Sequence, residues 1–285
     1  MIADLHTHST ASDGQYRPRE LVRLAKESGI EVLALTDHDT LDGIPEAVAA
    51  GEEAGLTVLR GVELGAAEYR NLHLLGYGFS REAPALSALC RTMQSSRNTR
   101  KYRIIEFLRE RGVRISLEEV EELAGGAVIA RPHFAQVMVR HGYVSTNREA
   151  FERYLDTEEY QNIERFKAPA QDCIAAIRAD GGHVSLAHPY QVGLDRERFE
   201  ALLGGLKENG LEGMECFYPR HTPEQTAFYL ELAGRYDLHV TGGSDFHGER
   251  VKPDITLKQW ELDLAWLLHT SGEDHAEGTG SSQED

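Results

Sequence analysis

Histidine and carboxylate residues recur in this chain at spacings that suit metal binding. His6 and His8, in DLHTHS, are two apart, and on an extended segment such residues face the same way, so both imidazoles can reach one ion. Asp245 and His247, in GSDFH, repeat the arrangement near the other end. Asp13 follows in SDG, His38 stands between acids in TDHDT, Glu63 ends an apolar run in GVE, His73 borders another run, and His188 precedes a proline in AHP. Singly, each reads as an ordinary core, turn or cap residue. Nine of them at the ends of expected strands do not, and imidazoles with carboxylates but no thiolates suit Zn, Mn or Fe. Nine ligands exceed the needs of one ion that keeps a position open for water, so two or three divalent ions are expected.

The elements that must position these residues follow from periodicity. Strands are expected at Ile2–Leu5, Glu31–Thr36, Leu56–Val62 and Leu72–Tyr77, with helices at Pro18–Glu27 and Pro45–Ala54 between the first three. The alternation resumes with helix 170–180, strand His183–Ala187, helix Asp195–Asn209, strand Leu211–Phe217, helix Pro223–Tyr236 and strand Leu238–Gly242. Between them only helical periodicity appears, at 85–111, 116–124, 131–141 and 147–156. The expectation is an α/β metallo-barrel from residues 1–82 and 168–268, interrupted by a helical insertion or cap at 83–167. Barrels of this kind gather their sites at the carboxyl edge of the strands, where the nine residues fall.

Composition bounds the partners. With 30 Lys+Arg against 47 Asp+Glu the net charge is −17, and residues 271–285, with five of the acids, read as a disordered acidic tail. So acidic a chain is not expected to grip extended nucleic acid. No apolar run is long enough to span a membrane, and MIADLHTHST lacks the features of a secretory signal, so the cytoplasm is the expected address. Cys90, Cys173 and Cys216 form no CxxC spacing and read as buried thiols. His141, His183, His221, His239, His269 and His275 read as surface or core residues.

The order HxH, SDG, TDHD, GxE, a mid-chain His, AHP and SDxH, spanning residues 4 to 247, resembles the PHP (polymerase and histidinol phosphatase) family of phosphoesterases. The resemblance implies a distorted (β/α)7 barrel with a trinuclear centre of Mn, Fe or Zn. Carried over position by position, His6, His8, Glu63 and Asp245 would hold the first ion. A bridging Glu63 with His73 and His188 would hold the second, and Asp13, His38 and His247 the third. A metal-activated hydroxide held by Glu63, Asp245 and His188 would then attack phosphorus, with no side-chain nucleophile required. No GxSxG, P-loop or GxGxxG run argues for another chemistry.

Substrate contacts are expected from the insertion. Asn98 and Arg100 lie in the basic run RNTRK, and Arg131 and His133 open a helix in a segment that resembles a PHP subgroup acting on ribose phosphates. Guanidinium forks and a helix amino terminus both suit phosphate. That subgroup implies two small phosphorylated substrates: phosphoribosyl 1,2-cyclic phosphate, opened and then dephosphorylated to ribose 5-phosphate, or a 3′,5′-nucleotide bisphosphate, an activity overlapping with 5′→3′ exoribonuclease. The bisphosphatase pattern has a Gly-Lys pair where this chain reads Thr157-Glu158-Glu159-Tyr160, with Arg165 and Lys167 as replacement cations. The cyclic diester is therefore favoured. Weaker alternatives are histidinol phosphate phosphatase, amide or deaminase chemistry on a related barrel, and a metal-binding scaffold without activity.

Overall fold

The computed structural model describes residues 1–268 except 125–128, 130, 162, 164 and 165, and omits the side chains of Arg97, Asn98 and Gln161. The expected tail at 271–285, His269, His275, Arg165 and the side chain of Asn98 lie outside the described residues. The first elements are β1 (Ile2–Thr7), α1 (Pro18–Glu27), β2 (Val32–Leu35), α2 (Ile44–Ala54), β3 (Thr57–Gly65) and β4 (His73–Tyr77). Helices α3 (Pro84–Glu110), α4 (Leu117–Ala124), α5 (Arg131–Arg140), α6 (Asn147–Ala150) and α7 (Glu158–Gln161) follow, α6 running on into a π turn at Phe151–Leu155. The chain then forms α8 (Ala170–Ala179), β5 (His183–Leu186), α9 (Arg196–Glu208), β6 (Gly213–Phe217), α10 (Pro223–Arg235), β7 (His239–Gly242), β8 (Trp260–Glu261) and α11 (Ala265–Leu268).

The strands form one sheet in the order β7-β6-β5-β4-β3-β2-β1-β8. It curls into a nearly closed barrel because the segment after β7 meets β1, through Asp245 N–His6 O at 2.8 Å and His8 N–Phe246 O at 2.9 Å. Strand alternation separates two faces. Val32 and Ala34 pack with Leu5, Leu59, Leu75 and Tyr77 inside the barrel, whereas Leu33 and Leu35 pack outward against α1 and α2. A continuous apolar run such as Val32–Leu35 is what a strand covered on both faces requires.

No helix is expected between the third and fourth strands, and none forms. Residues 66–72 are too few for a crossover helix, so β4 turns back as a hairpin and pairs antiparallel with both β3 and β5. Its first residue, His73, is thereby brought to the carboxyl edge of the parallel strands. The short antiparallel β8, paired to Ile2 and Ala3, is a further strand that periodicity does not reveal.

Helix α3 serves two cores. Leu86, Cys90 and Met93 pack in the cluster outside β3–β6, while Ile104, Phe107 and Leu108 join Phe134, Met138 and Leu155 in a separate cluster of the helical region. Among the described residues no strand falls between β4 and β5, and no helix is long and apolar enough to cross a membrane. All three cysteines are buried and unpaired.

Candidate metal centre

All nine histidine and carboxylate residues converge at the carboxyl edge of the barrel, with Glu63 at the middle. Its carboxylate lies 3.2 Å from His6 Nε2, 3.2 Å from His8 Nε2, 3.0 Å from His38 Nδ1, 2.6 Å from His73 Nδ1 and 3.0 Å from His188 Nε2. Asp245 Oδ1 is 3.5 Å from His8 Nε2 and 3.3 Å from His247 Nδ1. Asp13 lies 3.3 Å from His247 Nε2 and 3.9 Å from His38 Nε2. Three groups have ligand atoms close enough to share an ion: His8, Asp13, His38 and His247; His6, His8 and Glu63; and His38, Glu63 and His73. His8 and His38 each belong to two of them, so the geometry joins these residues more closely than the family-derived partition does.

Local structure explains how each side chain reaches this point. β1 carries one extra residue relative to β2 between Asp4 and Thr7. Such a bulge re-aims side chains, and here Leu5 packs in the inner cluster while its neighbour His6 reaches the centre. His188 (φ +24°) and Asp245 (φ +58°) both sit in the left-handed region, a conformation that persists only where surrounding contacts hold it. The Tyr218 hydroxyl donates to Asp245 Oδ2 at 2.9 Å and Lys252 Nζ lies 2.6 Å from the same oxygen. Asp37 accepts hydrogen bonds from Ser9 N, Ser9 Oγ and Ser12 Oγ, which fixes the loop that carries Asp13.

Electrostatics prepares the cluster for cations. Burial would raise Glu63, yet His38, His6 and His73 hold its carboxyl well below the usual range. Burial is likewise overcome at Asp13 by His38 and His247, and at Asp245 by His6 and Lys252. Burial and His247 push His8 down to about 3, and burial lowers His38 and His73. His6 rises instead, because Glu63 and Glu215 outweigh its burial. Ionised carboxylates are the form that binds metal, and His6 must release its extra proton before its ring can ligate an ion. The donor set also fits a metal by its unmet atoms: His6 Nε2, both nitrogens of His8, Glu63 Oε2 and His188 Nδ1 are buried and make no hydrogen bond. Asp13, with a side chain 39% exposed, marks the open edge.

The expected substrate contacts are placed differently. Arg131, at the start of α5, donates to Asp156 Oδ1 at 2.5 Å and lies over the Phe151 ring. Arg100 lies 5.2 Å over the Tyr160 ring, its buried Nε without a hydrogen bond. Burial, with Arg131 and Arg70 nearby, lowers its pKa. His133 is partly buried, which lowers its pKa. Lys167 Nζ donates to Ala66 O and Arg70 O, and so ties down the β3–β4 loop beside His73.

Sequence reasoning missed four buried or half-buried supports: Asp37, Glu215, Tyr218 and Lys252. For Glu215 there is a signal, an acid in the middle of the apolar strand GMECF. For Lys252, on a loop without periodicity, there is none.

The PHP domain profile matches residues 4–188, which leaves Asp245 and His247 beyond it. The chain is 36% identical over 245 residues to a 5′-3′ exoribonuclease of Haemophilus influenzae, covering 86% of this chain and 89% of that one. It is 35% identical over 254 residues to a phosphoribosyl 1,2-cyclic phosphate 1,2-diphosphodiesterase of Eggerthella lenta, covering 87% and 95%. A solved structure from Bifidobacterium adolescentis, assigned as a metal-dependent phosphoesterase, superposes with a TM-score of 0.76 at 31% identity over 94% of this chain and 96% of that one. With its converging histidines and carboxylates, the chain belongs to the PHP family of metal-dependent phosphoesterases, hydrolases of phosphoester bonds.

Proposed function

We propose that the protein hydrolyses phosphoribosyl 1,2-cyclic phosphate, opening the ring and then releasing the phosphate, with two or three divalent ions held by His6, His8, Asp13, His38, Glu63, His73, His188, Asp245 and His247. The observation that carries this reading is a cluster of cations in the helical region: Arg100, whose buried Nε makes no hydrogen bond, within electrostatic reach of Arg70 and Arg131. Lys167 joins the two places, since it holds the Arg70 carbonyl and its Nζ would be 3.5 Å from a Cβ on Gly65, two residues past Glu63. A ribose carrying phosphate at both ends suits such a pair of sites.

Ions bound at the centre would supply Lewis acidity toward the phosphoryl oxygens and lower the pKa of water. The chain's own residues do the rest. Glu63 sets the spacing of five imidazoles, Tyr218 and Lys252 fix Asp245, and Asp13 leaves the open edge to the incoming ester. Arg100 and Arg131 grip the distal phosphate with charge-assisted hydrogen bonds. That grip retains the ring-opened monoester for its second hydrolysis. The sequence Thr157–Tyr160, in place of a Gly-Lys pair, supports the cyclic diester over a bisphosphate.

A second reading, removal of nucleotides from the 5′ end of an oligonucleotide, is favoured by a 980 Å³ cleft along α3 lined by Arg91, Arg103, Phe166 and Lys167. Phe166 is 45% exposed there, placed for base stacking beside cations. Phosphorus NMR of the Mn-loaded protein with each substrate separates the readings. The cyclic diester should disappear through a transient monoester to one equivalent of phosphate, faster than a 5′-phosphorylated oligonucleotide is trimmed, and Asp245→Ala should abolish both activities. Faster release of mononucleotides from the oligonucleotide overturns the first reading.

A further inference from the structure

Strand β6 runs through two environments. Met214 and Cys216 point outward into the cluster packed beneath α9 and α10, so alternation turns the residue between them, Glu215, to the barrel interior. Its carboxylate is fully buried, a position that an acid occupies only when hydrogen-bonded. Both oxygens are used. Oε1 lies 3.1 Å from His6 Nδ1, and Oε2 accepts from the backbone N–H of His188 at 2.6 Å.

We propose that Glu215 is a positioning residue that sets two metal ligands at once, fixing the tautomer of the His6 ring and the backbone of His188. With its Nδ1 hydrogen committed to Glu215, His6 presents its Nε2 lone pair to the centre. That nitrogen is buried and makes no hydrogen bond, as a nitrogen reserved for a cation must be. A carboxylate behind a ligating imidazole holds the ring in plane and raises its basicity. The second bond acts on conformation. His188 has φ +24°, and its short backbone hydrogen bond helps hold the turn that carries its Nε2 to 3.0 Å from Glu63 Oε1. Space confirms how closely the pair is built: a Cβ on Gly243 would lie 2.6 Å from Glu215 Oε1 and 2.2 Å from His6 Cβ.

This role rests on the metal-centre reading, and its test separates the two. Glutamine at 215 keeps the shape but offers one acceptor oxygen for two donors. Either His188 N–H faces an amide NH2, or that NH2 faces His6 Nδ1 and drives the proton to Nε2, where it blocks coordination. Glu215→Gln should therefore weaken Mn²⁺ and Zn²⁺ affinity about 10- to 100-fold, measured by competition with a chromophoric chelator on the full chain. The Mn²⁺ concentration for half-maximal phosphate release should shift by the same factor, with kcat recovered at saturation. A merely structural role would move the melting temperature of the metal-free protein but not that factor. Equal affinity in wild type and variant overturns the role of Glu215 alone, whereas a wild-type chain that binds neither ion overturns the metal-centre reading with it. Should the variant not fold, ¹⁵N NMR of histidine-labelled, Zn-loaded wild type decides: His6 as the Nδ1–H tautomer supports the role, and Nε2–H overturns it.

Discussion

Replacing Gly243 by alanine should break the centre without replacing any candidate ligand. Gly243 follows β7 and has an ordinary backbone, so the cost of a methyl group there is one of space. Its Cβ would lie 2.2 Å from His6 Cβ, 2.8 Å from His6 N and 2.6 Å from Glu215 Oε1. Carbon atoms settle about 3.5–4.0 Å apart, so β1 and the segment after β7 must part by roughly 1 Å or more. They are joined by Asp245 N–His6 O at 2.8 Å and Ser244 N–Asp4 Oδ1 at 2.8 Å. Overpacking costs about 1–3 kcal/mol and each lost hydrogen bond about 1 kcal/mol, roughly 3–5 kcal/mol in all. That corresponds to a fall in melting temperature on the order of 10 °C for a domain of this size. Metal sites tolerate about 0.2 Å in ligand distance, so bound metal should fall at least tenfold. The paired control is Gly205→Ala, on α9, where an added Cβ meets nothing within 4 Å and a helical Gly→Ala change gains about 0.5–1 kcal/mol. Denaturant unfolding of both metal-free variants, with elemental analysis of the Mn-loaded forms, measures the contrast. Wild-type stability and metal content in Gly243→Ala would refute the reasoning.

Three further outcomes are expected. Arg100→Ala should raise KM for the cyclic diester about 10- to 100-fold, the worth of a hydrogen bond to a charged group, and far more than it raises KM for p-nitrophenyl phosphate; equal rises would remove Arg100 from substrate recognition. Removing metal with a chelator should abolish phosphate release and lower the melting temperature, and Mn²⁺ at about 1,000 times its Kd should return roughly 4 kcal/mol of stability, read by calorimetry with and without the ion. Burial pushes the thiols of Cys90, Cys173 and Cys216 up to about 12. The buried thiol resists ionising, so its thiolate fraction at pH 8 falls about 10³-fold relative to an exposed one. A disulfide reagent should accordingly find no reactive thiol in the native protein and three in urea, and stability should decline above pH 9 as the unfolded chain alone releases those protons.

The ring of candidate ligands was legible because of how a barrel is built. An apolar run read from periodicity has an end, a parallel barrel gathers those ends at one edge, and His8, His38, Glu63, His188 and Asp245 needed only that rule. His73 arrives at the same edge by a different route. It begins β4 rather than ending it, and the hairpin places it correctly because reversing a strand exchanges its two ends. What stayed hidden depends on register and on partners distant in sequence. The bulge in β1, which brings adjacent Leu5 and His6 to their places, is a mismatch with β2 that neither strand records alone. Glu215 was visible as an acid in an apolar strand, but its meaning comes from His6, 209 residues away. Arg131 shows how surroundings modify a reading made from residue type. Its type suited phosphate, but Asp156, brought close by the fold of the helical region, already neutralises part of its charge. A substrate phosphate held as proposed would have to compete for Arg131, whereas the buried Nε of Arg100 makes no hydrogen bond among the described residues. Between two arginines of equal chemistry, the proposed function therefore rests its anchoring role on Arg100.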